Sequence, residues 1–238
     1  MTADRQADGD DERAADEPTS EPPADDLQAV YDRIADHFAK TRAYAWPEVE
    51  SFIDDEADRR GLDRALDLGC GNGRHAEALA AAGASVVGLD VSRGLLEEAG
   101  QRAADRGFDA ALVHGEASRL PVAADRFSQV VYVATVHHLP TREARRRSLS
   151  EVGRVLESGG RGLVSAWSTA HDRFDAEAGF DTTVDWTLPG GGTVGRYYHI
   201  YDPAEFRADL EAARLGVIDC RVSSGNCYAV VTPPESVL

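Results

Sequence analysis

The chain has 238 residues, enough for one α/β domain plus a tail and too few for two large independent cores. Acids outnumber bases by 42 to 25, for a net charge of −17, which argues against the broad basic stripe usual in nucleic-acid binders. Three cysteines, Cys70, Cys220 and Cys227, without a C-x-x-C pair exclude a disulfide framework and a zinc site of the usual spacing, so no metal is expected.

No run reaches the roughly 18 apolar residues of a membrane span, so a soluble cytoplasmic protein with no membrane partner is expected. Lys40 is the single lysine and all other cations are arginine. An acidic, lysine-poor surface is what keeps a protein hydrated in molar salt, so a halophilic setting is expected, with an acidic mesophilic protein as the alternative. Residues 1–26 carry −8 of the charge and almost no large apolar side chain, and are expected to be a disordered tail; one domain is expected over 27–238.

In chain order, Leu27, Val30, Ile34 and Phe38 recur at helical spacing. A second helix starts at Pro47, a favoured first-turn residue, and runs to Gly61. Strands and helices then alternate: strand 64–68, helix 73–82, strand 85–90, a helix from the cap Ser92 to Gly107, strand 110–114, strand 127–134, helix 141–156 and strand 161–167. Residues 168–195 show no period. A helix over 203–214 precedes strands 217–223 and 227–232, an antiparallel hairpin turning at Ser224-Gly225-Asn226. The alternation predicts a Rossmann-like sheet of seven strands, mostly parallel with an antiparallel edge strand, and helices on both faces.

The turn after the first strand reads Asp67-Leu68-Gly69-Cys70-Gly71-Asn72-Gly73. Its glycines let the backbone approach a ligand at the strand's carboxyl end. Asp90, 23 residues after Asp67, ends the second strand, placed for two ribose hydroxyls, with Val91 beside it. Arg74 follows Gly73 where a pyrophosphate-binding loop wants a third glycine, which favours S-adenosylmethionine over a nicotinamide dinucleotide. Asp67 is placed to accept from the cofactor's ammonium. Gly115-Glu116-Ala117 through Leu120-Pro121 resembles the adenine-cradling segment of class I methyltransferases, and Ala134 ends strand four beside the same ligand. Glu116 stands where that superfamily usually has Asp. The chain is thereby identified as a class I S-adenosylmethionine-dependent methyltransferase.

The acceptor must be argued from other residues. Strand four continues into Thr135-Val136-His137-His138-Leu139-Pro140, without the Asn/Asp-Pro-Pro-Tyr motif of amine methylation, and no cysteine is placed as a pyrimidine nucleophile. Several separate stretches resemble the tRNA methyltransferases that esterify the carboxymethyl group of wobble 5-carboxymethyluridine. They are Val30 to Ala35 with Thr41-Arg42 and Trp46-Pro47, Val136 to Arg146, Ala166-Trp167, Val184-Asp185-Trp186, Arg196 to Tyr201, and Gly225-Asn226. Cys227, Glu116 and Asp185 depart from the family's pattern.

The resemblance implies a tRNA substrate whose carboxylate, with an ordinary pKa of roughly 4, is already ionised, so that placement matters more than a base. Arg42 and Arg196 are the candidate carboxylate holders, because a guanidinium binds a carboxylate bidentately, and His138 is placed with them as catalytic. Trp46, His137, Tyr197, Tyr198 and His199 are candidate nucleoside contacts, and Arg145 and Arg146 candidate phosphate contacts. The resemblance also implies a small zinc-binding activator subunit at the free sheet edge, strand 110–114. Against these stand bland alternatives: buried tyrosines on an edge strand, a solvated arginine face, and Trp46 or Trp186 as core. A small-molecule methyltransferase acting on a quinone, lipid or metabolite, and a catalytically silent cofactor-binding protein, remain the competing readings.

Overall fold

The computed structural model describes residues 27–235; the expected tail over 1–26 lies outside them. Among the described residues six α-helices flank two sheets: α1 (Leu27–Lys40), α2 (Pro47–Arg60), α3 (Arg74–Ala81), α4 (Arg93–Arg106), α5 (Arg142–Val155) and α6 (Pro203–Ala212). The strands are β1 (Arg64–Leu68), β2 (Ser85–Asp90), β3 (Ala110–His114), β4 (Phe127–Tyr132), β5 (Leu156–Trp167), β6 (Phe180–Thr187), β7 (Thr193–Ile200), β8 (Gly216–Ser223) and β9 (Asn226–Thr232).

Local chemistry fixes the helix starts. Ser92 accepts from the Leu95 N–H, Thr141 from Ala144, and Asp202 from Ala204 and Glu205, each satisfying a donor that the first turn leaves unpaired. Gly107 closes α4 in the left-handed conformation that a side chain resists.

The large sheet has the order β3-β2-β1-β4-β5-β9-β8. Strands β1 to β5 are parallel, as the βα alternation predicts, and β9 is antiparallel to both neighbours. The antiparallel strand thus lies one place inside the edge, and the edge strand β8 runs back in the direction of β5. Strand order reverses between β1 and β4, and a crevice opens at such a switch point beyond the strands' carboxyl ends. The main core joins Leu66, Leu68, Val130, Leu149 and Val164 with Phe206 and Leu210 of α6, all fully buried.

Residues 168–195 correct the expectation of an irregular segment. They contain β6, which pairs antiparallel with β7 as a separate two-stranded sheet. The register puts Val184 opposite Arg196, Trp186 opposite Val194 and Thr182 opposite Tyr198 on one face. Asp181 opposite His199 and Thr183 opposite Tyr197 share the other. Two smaller differences matter near the crevice. Strand β5 begins at Leu156, where α5 ends, and not at 161. Strand β4 ends at Tyr132, before the predicted 134, because Ala134 turns the chain with φ 53°.

Candidate active site

A cavity of about 470 Å³ lies at the switch point. One half is built from main chain. Gly69, Gly71 and Gly73 all have positive φ, and a Cβ on Gly69 would lie 2.3 Å from the Thr135 hydroxyl oxygen. Only glycine lets the β1 turn sit this close to the end of β4. Gly69, Cys70, Gly71, Asn72, Asp90, Val91, Glu116, Ala117 and Ala134 all reach the wall, as do Leu89 and Leu95, which the sequence did not single out. Cys70 contributes backbone there. Its side chain packs against Gly88 of β2, and burial first, then the Asp90 and Asp67 charges, pushes the thiol well above its ordinary pKa.

The Asp90 carboxylate accepts from the backbone N–H groups of Gly71 (2.8 Å) and Ser92 (2.9 Å), which fixes its orientation on the wall. Burial nevertheless raises its pKa above the usual value. Asp67 is placed differently from expectation. It is 1% exposed and stands behind the glycine turn, off the cavity wall, 3.8 Å from the ring of buried His75. Neither of its oxygens makes a hydrogen bond, although the Ala76 N–H lies near enough to favour the anion. Burial dominates and lifts the carboxyl to about 7. Gly73 is also off the wall; it opens α3 and packs on Ala99 of α4.

A glycine cradle, an oriented carboxylate at the end of β2 and a cavity of this volume fit a nucleoside with a short charged tail, and so fit S-adenosylmethionine. Asp90 would hold the ribose hydroxyls, and the Glu116-Ala117 segment would border the base.

The other half is built from side chains of α1, the loop after it, the 3-10 turn Val136–His138 and β7. Arg196 is 1% exposed, yet its guanidinium carbon sits 4.8 Å from the Trp186 ring centre and 5.3 Å from that of Tyr198 on the cavity wall. Arg42 lies over the Phe38 ring at 4.8 Å and donates to the Thr41 hydroxyl at 3.0 Å. Trp46 is on the wall with Arg74 stacked over it at 5.0 Å. Trp186, read from sequence as a core residue, packs against α1 and donates to His37 at 3.1 Å.

Both histidines face the cavity, and both are neutral. The His138 Nδ1 lies 3.0 Å from the Tyr197 carbonyl oxygen and must donate to it, so Nε2 accepts from the Tyr31 hydroxyl at 2.9 Å. Burial, against that hydrogen bond, lowers His138 to about 3. With both nitrogens committed it is no proton acceptor; it ties α1 to β7. His137 Nδ1 accepts from the Trp167 backbone N–H at 3.0 Å, which leaves the hydrogen on Nε2. Burial, with the Arg196 charge nearby, holds His137 well below its ordinary pKa.

Four predicted contacts are not on this wall. Tyr197 and His199 point to the opposite face of β7, since neighbours in a strand alternate. There the Tyr197 hydroxyl donates to Asp181 (2.7 Å), and the His199 ring bridges Asp181 (2.6 Å) and Glu205 of α6 (3.1 Å). Burial pushes the Asp181 carboxyl up, but the His199 and Tyr197 hydrogen bonds together hold it below its usual value. Arg145 is buried, donating to the Leu139 carbonyl at 3.2 Å beneath Tyr201. Arg146 and Arg142 both donate to the fully buried Asp209, at 2.7 and 2.8 Å, and Arg147 pairs with Glu143. Arg142, Arg146 and Arg147 are therefore each paired with an acid of this chain, and Arg145 with a carbonyl. Tyr31, Phe38 and Trp167 line the cavity without having been predicted to.

Residues 65–160 match a methyltransferase-domain family. A putative methyltransferase of Encephalitozoon cuniculi is 34% identical over 181 residues, 74% of this chain and 80% of that protein. A Saccharomyces cerevisiae protein named tRNA (carboxymethyluridine(34)-5-O)-methyltransferase is 31% identical over 68% of this chain, and the chain spans 57% of its length. Among solved structures, an S-adenosylmethionine-dependent methyltransferase from Clostridium acetobutylicum superposes with a TM-score of 0.69 at 17% identity, covering 86% of this chain and 99% of that one. No described helix is long and apolar enough to cross a membrane, and no cluster of metal-ligating side chains occurs among the described residues.

Proposed function

Because the chain belongs to the class I S-adenosylmethionine-dependent methyltransferases, we propose that its acceptor is the carboxymethyl group of a modified wobble uridine in tRNA. One observation carries this reading. The half of the cavity away from the glycine turn presents Arg42 and Arg196, two neutral histidines and several rings, and no acidic side chain among the described residues. Such a wall accepts an anion and offers no base. A carboxylate needs none, being ionised already.

Bound S-adenosylmethionine supplies an electrophilic methyl on a sulfonium. The chain's own residues do the rest. Arg196 is held between Trp186 and Tyr198 and cannot drift, so a carboxylate bound to its fork is oriented before reaction; such positioning is worth on the order of 7–11 kcal/mol. The rings of Phe38, Trp46 and Tyr198 exclude water around it. The likeness to the yeast enzyme over 68% of this chain adds support. Deleting the gene and analysing tRNA nucleosides by mass spectrometry tests the reading: loss of a methyl-ester wobble uridine is expected, and an unchanged profile overturns it.

A second reading, a small carboxylic acid or another metabolite as acceptor, draws on one observation of its own. Arg142 and Arg146 pair with Asp209 and Arg147 with Glu143, which weakens the positive charge that this face of α5 presents to a phosphate backbone. The same deletion strain separates the two, since tRNA would then be untouched.

The activator subunit implied by the resemblance belongs at β3, an edge of the large sheet. A hollow on the sheet face reaches from β3 to β4, lined by Val87, Ala111, Val113 and Phe127 with Arg64 and Arg126 among them, and gives a partner at that edge some apolar surface to cover. If the purified chain is monomeric and fully active alone, this part fails.

A further inference from the structure

Six of the seven tyrosines are buried; Tyr44 is 71% exposed, the largest exposure of any big apolar side chain among the described residues. It sits in the short loop between α1 and α2, two residues from Arg42 on one side and two from Trp46 on the other, both on the cavity wall. An exposed ring on a mobile loop would mean little. This loop is pinned. Asn72 of the glycine turn donates to the Ala39 and Arg42 carbonyls at 3.1 and 2.8 Å, and Arg102 of α4 donates to the Arg42 and Ala43 carbonyls. Arg74 donates to the carbonyl of Tyr44 itself at 3.4 Å. Three side chains thus fix the backbone of residues 39–44 and leave the Tyr44 ring in water, on a segment whose neighbours Arg42 and Trp46 line the cavity.

We infer that Tyr44 is a stacking platform for the base that neighbours the methylated nucleotide in a single-stranded RNA loop. A nucleotide inserted into the cavity has to leave its stack, and the adjacent base then needs a new face; rings of this kind supply it without reading sequence. Stacking also needs no net positive charge, which a chain at −17 does not have. The inference rests on the tRNA reading above and specifies how the RNA is held.

The test uses the full chain and an anticodon stem-loop RNA carrying 5-carboxymethyluridine at the wobble position, with the same RNA made abasic at the 5′ or the 3′ neighbour. Tyr44→Ala is expected to raise KM for the intact loop about tenfold, while Tyr44→Phe, which keeps the ring, stays near wild type. One abasic position should raise KM comparably in the wild type and add nothing in Tyr44→Ala, a non-additivity that loss of fold would not produce. A KM for Tyr44→Ala within twofold of wild type, or full additivity at both positions, overturns the platform while leaving the tRNA reading intact. Wild-type protein that methylates none of these RNAs removes both.

Discussion

The two halves of the cavity are made in different ways. The cofactor half comes from one contiguous turn and the ends of β1 and β2, and its shape depends on backbone: three left-handed glycines and a carboxylate held by two N–H groups. The acceptor half is assembled from α1, the 136–140 turn and β7, elements far apart in the chain, and depends on side chains wedged among one another. A site of the first kind tolerates exchange of most side chains but not of its glycines. One of the second kind can change its acceptor by changing a few rings and charges, while the fold around it stays the same.

Substitutions can break or sharpen that division. The largest effect is expected at Arg196. Arg196→Ala should lower kcat/KM for the acceptor by about 100-fold or more, since it strands a carboxylate in a buried site, with cofactor affinity by calorimetry near wild type. A parallel loss of cofactor binding would move Arg196 out of the acceptor half. Next is Asp67. Its folded pKa of about 7 lies above the ordinary 3.8, so the folded state binds the proton more tightly. The resulting stability is absent well above pH 7, grows as pH falls, and is complete below about 3.8. Thermal melts of the cofactor-free protein should show a gain on the order of 3 kcal/mol between pH 8 and pH 4 that Asp67→Asn lacks. A pH profile unchanged in the variant would mean that this carboxyl is not neutral at rest.

Asp90→Asn comes third. The amide presents an N–H toward the Gly71 or Ser92 donor, and cofactor Kd should rise roughly 30-fold, an effect of about 2 kcal/mol, with acceptor KM little changed. The smallest is Asn72→Ala, which unpairs two carbonyls and should cost about 1 kcal/mol in a denaturant melt. It alone should disturb both halves, raising the KM of each substrate.

How much was legible before folding follows the same division. The turn from Gly69 to Asn72 and the Asp90 position could be read because their geometry is local: a strand end, a glycine spacing, a second strand end. Asp67 belongs to the same motif yet lies one side chain behind the wall, buried beside His75, which does line the cavity, and spacing alone does not show that. In the acceptor half, residues 196–199 were read as a block. Counting by twos along β7 would have parted Arg196 and Tyr198 from Tyr197 and His199. The hairpin that makes β7 a strand was missed although Phe180, Val184 and Trp186 alternate with Asp181, Thr183 and Asp185; Thr182 interrupts the apolar face and leaves only two consecutive apolar positions, too short a run to stand out. The arginine cluster after Thr141 could not be judged from spacing at all, since Asp209, the acid that engages Arg142 and Arg146, lies more than sixty residues away.

The amide of Asn72 has a practical meaning for protein engineering. It belongs to the glycine turn by sequence, yet it donates to the end of α1 and to the loop that carries Arg42 and Tyr44. Arg102 makes a similar reach from α4. Residues 27–46 are therefore not a detachable cap. A graft that exchanges them for the cap of a related enzyme, to change which molecule is methylated, has to carry the matching residues at 72 and 102 with it, or the new cap will sit on carbonyls that nothing holds.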